Sequence, residues 1–369
     1  MTALPLPPCP DTSHVRSWDI FCRVIDNHGD LGVCWRLSAD LAQRSHAVRL
    51  WVDDASALTW MAPHTERPKV EVLRWEDHVN MHQPNDVVIE AFGCALPEAV
   101  EQQLAQHPKT VWLNLEYLSA EDYVERHHGL PSPVMHGPAK GATKWFFYPG
   151  LTEGSGGLLR EPDLQQRQLQ FQKAAWLTQW ITQKEKRNDE RYIALFCYEP
   201  EPLRAWLQQL AHDPTPTCLL VTAGRAQQAV QAVLPQIDRG NDALHIEWLP
   251  YLSQTDFDHL LWACDINMVR GEDSLVRAIW AGQPWVWHIY PQDDLAHHHK
   301  LQALCDRLAM PQDLQAFQRR WNGVSDEPLS ALTPDTLARW TDWSQATKRV
   351  LQAQNDLASQ LIAFAAQSR

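Results

Sequence analysis

Nowhere does this chain approach the ~18 consecutive apolar residues needed to cross a bilayer. Residues 1–17, rich in proline and polar side chains, lack the apolar stretch of a secretory signal. There is no basic excess either: 32 Lys and Arg stand against 45 Asp and Glu, for a formal net charge of −13. That balance excludes a phosphate backbone as the main partner, since non-specific nucleic-acid binding needs the opposite sign. It suits a basic protein partner instead, as a weak electrostatic bias. No CxxC pair occurs among the eight cysteines, and most of them lie inside apolar runs. That is the usage of a reducing compartment, where cysteine acts as a small hydrophobe. The expected setting is cytoplasmic, with no membrane and no nucleic acid.

What is present is a folded chain of 369 residues, 44% apolar and 21% charged, long enough for two domains that each bury a core. Short β-branched or aromatic runs alternate with segments of helical period, which predicts an α/β fold. In the first half the strands are expected at 19–25, 47–52, 69–73, 86–90 and 110–114. In the second they are expected at 192–197, 217–221, 244–248, 266–269 and 285–289. Between the halves lie a glycine-rich stretch at 152–157, a polar helical segment at about 162–181 and a charged run at 183–191 (QKEKRNDER). The charged run reads as a solvated connection. The expected division is one Rossmann-like domain at 1–182 and a second at 183–340. Residues 341–369 form a terminal helix that can pack back on the first domain.

Two turns carry candidate chemistry. The first is Asp26-Asn27-His28-Gly29-Asp30-Leu31-Gly32, between an apolar strand and a helix whose residues 33, 34, 37 and 41 keep helical spacing. Ligands of open α/β sheets bind beyond the carboxyl ends of strands, where this turn lies. It is not GxGxxG, and two carboxylates would repel a phosphate, so a cation or a hydroxyl nucleophile suits it better. The bland alternative, Asp30 as a helix cap and Asp26 as a turn former, stands equally well on the motif alone.

The second turn is Val269-Arg270-Gly271-Glu272-Asp273-Ser274, followed by a helix that Gly282 and Pro284 close. Ser274, the free N–H groups of the first helical turn and Arg270 can hold a diphosphate. Glu272 is then available to an acceptor, while Asp273 would cap the helix and brace Arg270. Service at the helix start alone is the competing account of both acids. Upstream, Tyr251 and Gln254 follow a strand and a proline turn, offering a ring for a base and an amide for a ribose. A structural turn there is at least as good a reading.

Both turns, with the stretches VIEAFGCALP, WLNLEYLSAEDYVERHHGLPSP, KWFFYPGLTEGSGGLLRE and ALFCYEP between them, resemble the protein-arginine rhamnosyltransferases of elongation factor P, the EarP family. The matching words run from Phe21 to Asp294. The resemblance implies a GT-B enzyme, an architecture that two Rossmann-like halves also fit by analogy. It implies dTDP-β-L-rhamnose as donor, inversion at the anomeric carbon, no metal and no cofactor, and an arginine of elongation factor P as acceptor. Asp30 then corresponds to the general base, with Asp26 and Glu272 as further acids near the acceptor. Tyr198, Arg270, Gly271, Asp273 and Ser274 correspond to donor contacts, and Tyr251 and Gln254 to the base and ribose pocket. Phe196 is carried as a pocket wall. At position 251 the family can have Phe, so base packing is open there.

The chemistry agrees with that polarity. A guanidinium, with a pKa above about 12, must be oriented, neutralised and relieved of a proton, which carboxylates do. A departing diphosphate needs cationic and N–H donors instead. Adjacent His297, His298 and His299 point about 100° apart on a helix and suit a metal poorly. Glycines 154–157 lack the GK[ST] ending of a phosphate loop. The 18 tryptophans are scattered as packing residues. Another nucleotide-sugar enzyme, an epimerase or small-acceptor transferase, and a silent nucleotide-sugar-binding protein are the competing functions.

Overall fold

The computed structural model describes residues 16–24, 28–63, 68–75, 83–182, 190–238, 240, 242–292 and 295–368. Among the described residues, twelve strands form two sheets. The first contains β1 (Ser17–Cys22), β2 (Ala47–Val52), β3 (Val70–Arg74), β4 (Val87–Ala91), β5 (Val111–Leu115), β6 (Pro131–Pro133) and β7 (Thr143–Phe147). Their order is β3-β2-β1-β4-β5-β7-β6, parallel except for β6. The second contains β8 (Arg191–Leu195), β9 (Thr217–Val221), β10 (Leu244–Trp248), β11 (Ile266–Arg270) and β12 (Trp285–His288), in the order β10-β9-β8-β11-β12 and parallel throughout. Parallel strands are covered on both faces, and β4, β5, β8 and β9 are accordingly buried at every position.

Helices of the first half are α1 (Gly29–Gln43), α2 (Leu58–Met61), α3 (Glu98–Gln106) and α4 (Tyr123–His127). The connection carries α5 (Leu164–Gln170) and α6 (Lys173–Trp180). The second half has α7 (Leu203–Ala211), α8 (Arg225–Val233), α9 (Gln254–Ala263), α10 (Gly271–Ala281), α11 (Ala296–Arg307) and α12 (Gln312–Trp321). The chain then runs through α13 (Pro334–Gln352) and α14 (Leu357–Gln367). No helix among the described residues is long and apolar enough to cross a membrane. The seven described cysteines are all buried and unpaired.

Packing follows sheet rather than chain order. Leu164, Trp176 and Leu177 of α5 and α6 precede the boundary expected at residue 183, yet they join the core of the second sheet. Leu357, Ala358, Leu361 and Ala365 of α14 join the first core, and Phe364 sets its ring edge-on to Trp145 and Phe147. The glycine-rich stretch is the seam for this return. A Cβ on Gly156 would fall 2.5 Å from the Phe147 ring, and one on Gly157 would strike the Asn355 carbonyl between α13 and α14. Its glycines therefore serve close backbone approach.

Candidate active site

Each sheet reverses its strand order at one point, between β1 and β4 in the first and between β8 and β11 in the second. Such switch points open a crevice at the carboxyl ends of the strands. From the first crevice come Asp30 at the start of α1, Phe92 just after β4 and Tyr117 just after β5. From the second come Phe196 and Tyr198 after β8, and Arg270, Gly271 and Glu272 at the β11–α10 turn.

The charge of one acid reaches the other across the two halves. The Tyr117 hydroxyl donates to Asp30 Oδ2 at 3.0 Å. Burial pushes the Asp30 carboxyl up to about 6, against the lowering effect of that hydrogen bond. Glu272 is also pushed up, first by burial and then by the Asp30 charge, while Lys300 opposes the rise. Burial, Asp30 and Glu272 all raise the Tyr117 phenol, so this hydroxyl stays a donor. Asp26 lies outside the described residues.

A cationic side lies next to this acidic one. The Arg270 guanidinium sits 4.4 Å from the Phe196 ring centre and 4.7 Å from that of Tyr198, and donates to the Cys197 carbonyl at 3.2 Å. Aromatic faces hold a planar cation in place without neutralising it. Tyr198 is itself fixed, since its N–H donates to His288 Nδ1 at 3.2 Å, and burial lowers that imidazole to about 3. Arg225 also stands over the Tyr198 ring, at 4.8 Å, paired with Glu199. The turn needs Gly271, whose φ is +66° and whose carbonyl accepts from Trp287 Nε1 at 2.9 Å. Ser274 is buried and its hydroxyl is engaged within the turn, donating to the Arg270 carbonyl and accepting from the Arg270 N–H.

Asp273 corrects the sequence reading. It neither caps α10 nor braces Arg270; its carboxylate faces Arg36 Nε of α1 at 3.5 Å. The reason is the close approach of α1, where Gly32 has no side chain to hold the helices apart. A Cβ there would lie 3.3 Å from both the Asp273 carboxylate and the Gln254 amide. Gln254 also spends its side chain on this contact, donating to the Gly32 carbonyl at 2.9 Å. Tyr251 is 58% exposed, with its ring 4.9 Å from that of Trp60 on α2.

Behind this contact lies a buried ionic cluster that the sequence reading missed. Asp258 of α9 takes Arg277 at 2.6 Å and Arg36 at 3.1 Å, and Glu161 takes Arg277 at 2.8 Å and Arg36 at 3.4 Å. Arg167 adds contacts of 3.4 and 3.5 Å to the same two acids. Burial alone would raise Asp258, but Arg277, Arg36 and Arg167 hold it well below the usual carboxylate range. Helical spacing gave a signal for Arg36, one turn after Gly32, and position beyond β5 gave one for Tyr117. Neither told what it would meet.

The family model described as elongation factor P rhamnosyltransferase EarP matches residues 18–366. The chain belongs to the EarP family. A protein-arginine rhamnosyltransferase of Pseudomonas putida is 42% identical, covering 94% of this chain and 98% of the relative. The enzyme of that name from Pseudomonas aeruginosa is 40% identical over the same shares. A solved structure concerned with EarP-mediated arginine glycosylation of translation elongation factor EF-P is 30% identical, with a TM-score of 0.64, covering 96% of this chain and 100% of that one. A UDP-glucosyltransferase of Polygonum tinctorium, 10% identical with a TM-score of 0.52 over 97% and 99% of the two chains, shares the fold alone. The EarP chain thus has the GT-B architecture, with two Rossmann-like domains facing one another.

Proposed function

We propose that this chain transfers L-rhamnose from dTDP-β-L-rhamnose to an arginine guanidinium of elongation factor P, inverting the anomeric carbon. The observation that carries the reading is the polarity of the site. Glu272 feels the charge of Asp30 from the opposite domain, and the aromatic-held Arg270 stands in the same turn as Glu272. Family membership supplies the acceptor and sugar by name.

In this reading the guanidinium enters between Asp30 and Glu272, which pair with its N–H groups and offset its charge. One nitrogen attacks the anomeric carbon as the bond from that carbon to the diphosphate oxygen breaks. Asp30 takes the nitrogen's proton, so the N-rhamnosylated product keeps the single positive charge of a guanidinium. The diphosphate leaves with the bonding electron pair toward Arg270 and the first-turn N–H groups of α10, where positive charge is fixed in advance. A single displacement needs one base and inverts the centre. The donor is a substrate and no cofactor takes part; a translation factor as acceptor puts the reaction in the cytoplasm.

The test is incubation with dTDP-β-L-rhamnose and elongation factor P, followed by peptide mass spectrometry. The expected result is a deoxyhexose gain on one arginine, with an α-linkage by NMR. Asp30→Asn should lower kcat by about two orders of magnitude or more while calorimetric donor affinity stays nearly unchanged. A product of retained configuration, or an unmodified acceptor, would reject the reading.

A further inference from the structure

We propose that Tyr117 is a positioning residue for Asp30, preset by the strained residue Phe92, so that the tyrosine hydroxyl aims one carboxylate oxygen and leaves the other for the acceptor. The inference rests on the reading of Asp30 as the base.

It begins with an outlier. Phe92 has φ +57°, the left-handed region, which a bulky residue occupies only at a cost. The chain holds it there: the Phe92 N–H donates to the Leu115 carbonyl at 2.7 Å, just beyond the last paired residues of β4 and β5. The strained backbone delivers the Phe92 ring to the face of Tyr117, with centres 4.6 Å apart and planes 22° apart. Stacking fixes the plane of the phenol, and the hydroxyl then lands 3.0 Å from Asp30 Oδ2.

Burial does not explain that bond. Tyr117 is 36% exposed, so water could satisfy its own hydroxyl. The bond instead selects among the orientations of Asp30, which sits in the first turn of α1. It also selects a charge state. The groups that face Asp30 are Tyr117 beyond β5, Glu272 on α10 and Cys34 on its own helix, with Lys300 of α11 acting on Glu272. Burial favours the protonated acid. Tyr117 favours the carboxylate, which is the form that can accept the guanidinium proton.

The experiment compares wild type, Tyr117→Phe, Phe92→Asn and Asp30→Asn with dTDP-β-L-rhamnose and elongation factor P, measuring kcat, donor KM, the pH profile of kcat/KM and Tm. Tyr117→Phe should lose about tenfold or more in kcat near pH 7 with donor KM unchanged. Its acid limb should move up by about one pH unit, so that alkaline pH recovers part of the loss. Asparagine tolerates the left-handed backbone, so Phe92→Asn should reproduce the kcat loss without a matching fall in Tm. If Tyr117→Phe keeps the wild-type kcat and acid limb while Asp30→Asn is inactive, the positioning role is wrong and the base assignment stands. A kcat loss with an unmoved acid limb and a lowered Tm would overturn it as well, since that is a purely structural effect. Substantial turnover by Asp30→Asn would instead remove the base assignment, and this inference with it.

Discussion

Asp30 is a carboxyl that the fold makes uncomfortable. Its folded value is raised to about 6, above the ordinary 3.8, so between those values the folded state holds a proton that the unfolded state has released. Its contribution to stability is therefore lost as pH rises through that window, and above pH 6 the buried charge is a standing cost. Asp30→Asn should raise Tm at pH 7.5, and the gain should shrink to nothing below about pH 4, where both states carry the proton. In the proposed reaction the same variant should lose turnover, so stability and activity would trade against each other at one side chain. Scanning calorimetry at the two pH values checks the sign; an equal Tm at both would mean that Asp30 is solvated. Arg270 makes the complementary case. Its guanidinium is already stacked between Phe196 and Tyr198, so little ordering is left to do when an anion arrives. Arg270→Ala should weaken dTDP binding by about 30-fold or more in calorimetry, the scale of a charge-assisted hydrogen bond. Arg270→Lys should not restore it, because an ammonium has neither the plane nor the fork.

At the scale of elements, α1 is the piece that joins the domains, and it does so along one stripe. Gly32, Arg36 and Asp40 recur every fourth residue and so share a face. Gly32 meets Asp273 and Gln254, Arg36 meets the buried acids, and Asp40 pairs with Arg44, which reaches Asp356 at the start of α14. A side chain at Gly32 would wedge that face off α10. Gly32→Val should cost about 1–3 kcal/mol of stability and weaken donor binding, because Gln254 and Asp273 lie on the separated side. Thermal melts and calorimetry measure both, and an unchanged Tm would show that the helices do not close so tightly. Periodicity revealed α1 and the five principal strands of each sheet, since parallel strands are short apolar runs between turns. It hid β6 and β7. Pro131-Ser132-Pro133 looks like a loop, and it forms a strand only because the edge of a sheet tolerates proline. The acidic and cationic turns were legible because strand ends bind ligands in such sheets. Asp273 was misread because local capping was weighed and a partner 237 positions away was not. The stretch 152–157 was unreadable for a similar reason: its glycines answer to Phe147 and Asn355, and no local pattern announces that.

For the whole molecule the decisive quantity is the charge balance of the cluster between the domains. Arg36, Arg167 and Arg277 face the acids Glu161, Asp258 and Asp273, with the more exposed Asp163 also on Arg167, so undocking α1 of the first domain from α9 and α10 of the second takes away one cation and leaves its acids in surplus. Taking these groups out of water is expensive, and the pairing repays that cost only when complete. Arg36→Met keeps the packing volume of the stem but leaves one uncompensated negative charge. It should destabilise the chain by about 3–5 kcal/mol, the range for breaking a buried pair. High salt should do little to relieve it, because buried pairs are weakly screened. If the excess charge is relieved by domain separation, the radius of gyration from small-angle scattering should rise. Adding Asp273→Asn to Arg36→Met removes the surplus acid, so part of the lost Tm should return. Turnover should not return with it, because Arg36 no longer holds α1, and with it Asp30, against the turn that carries Arg270. Recovery of both together would mean that the cluster only stabilises. Recovery of Tm alone would show that the same charges that hold the domains together also set the distance between base and leaving group.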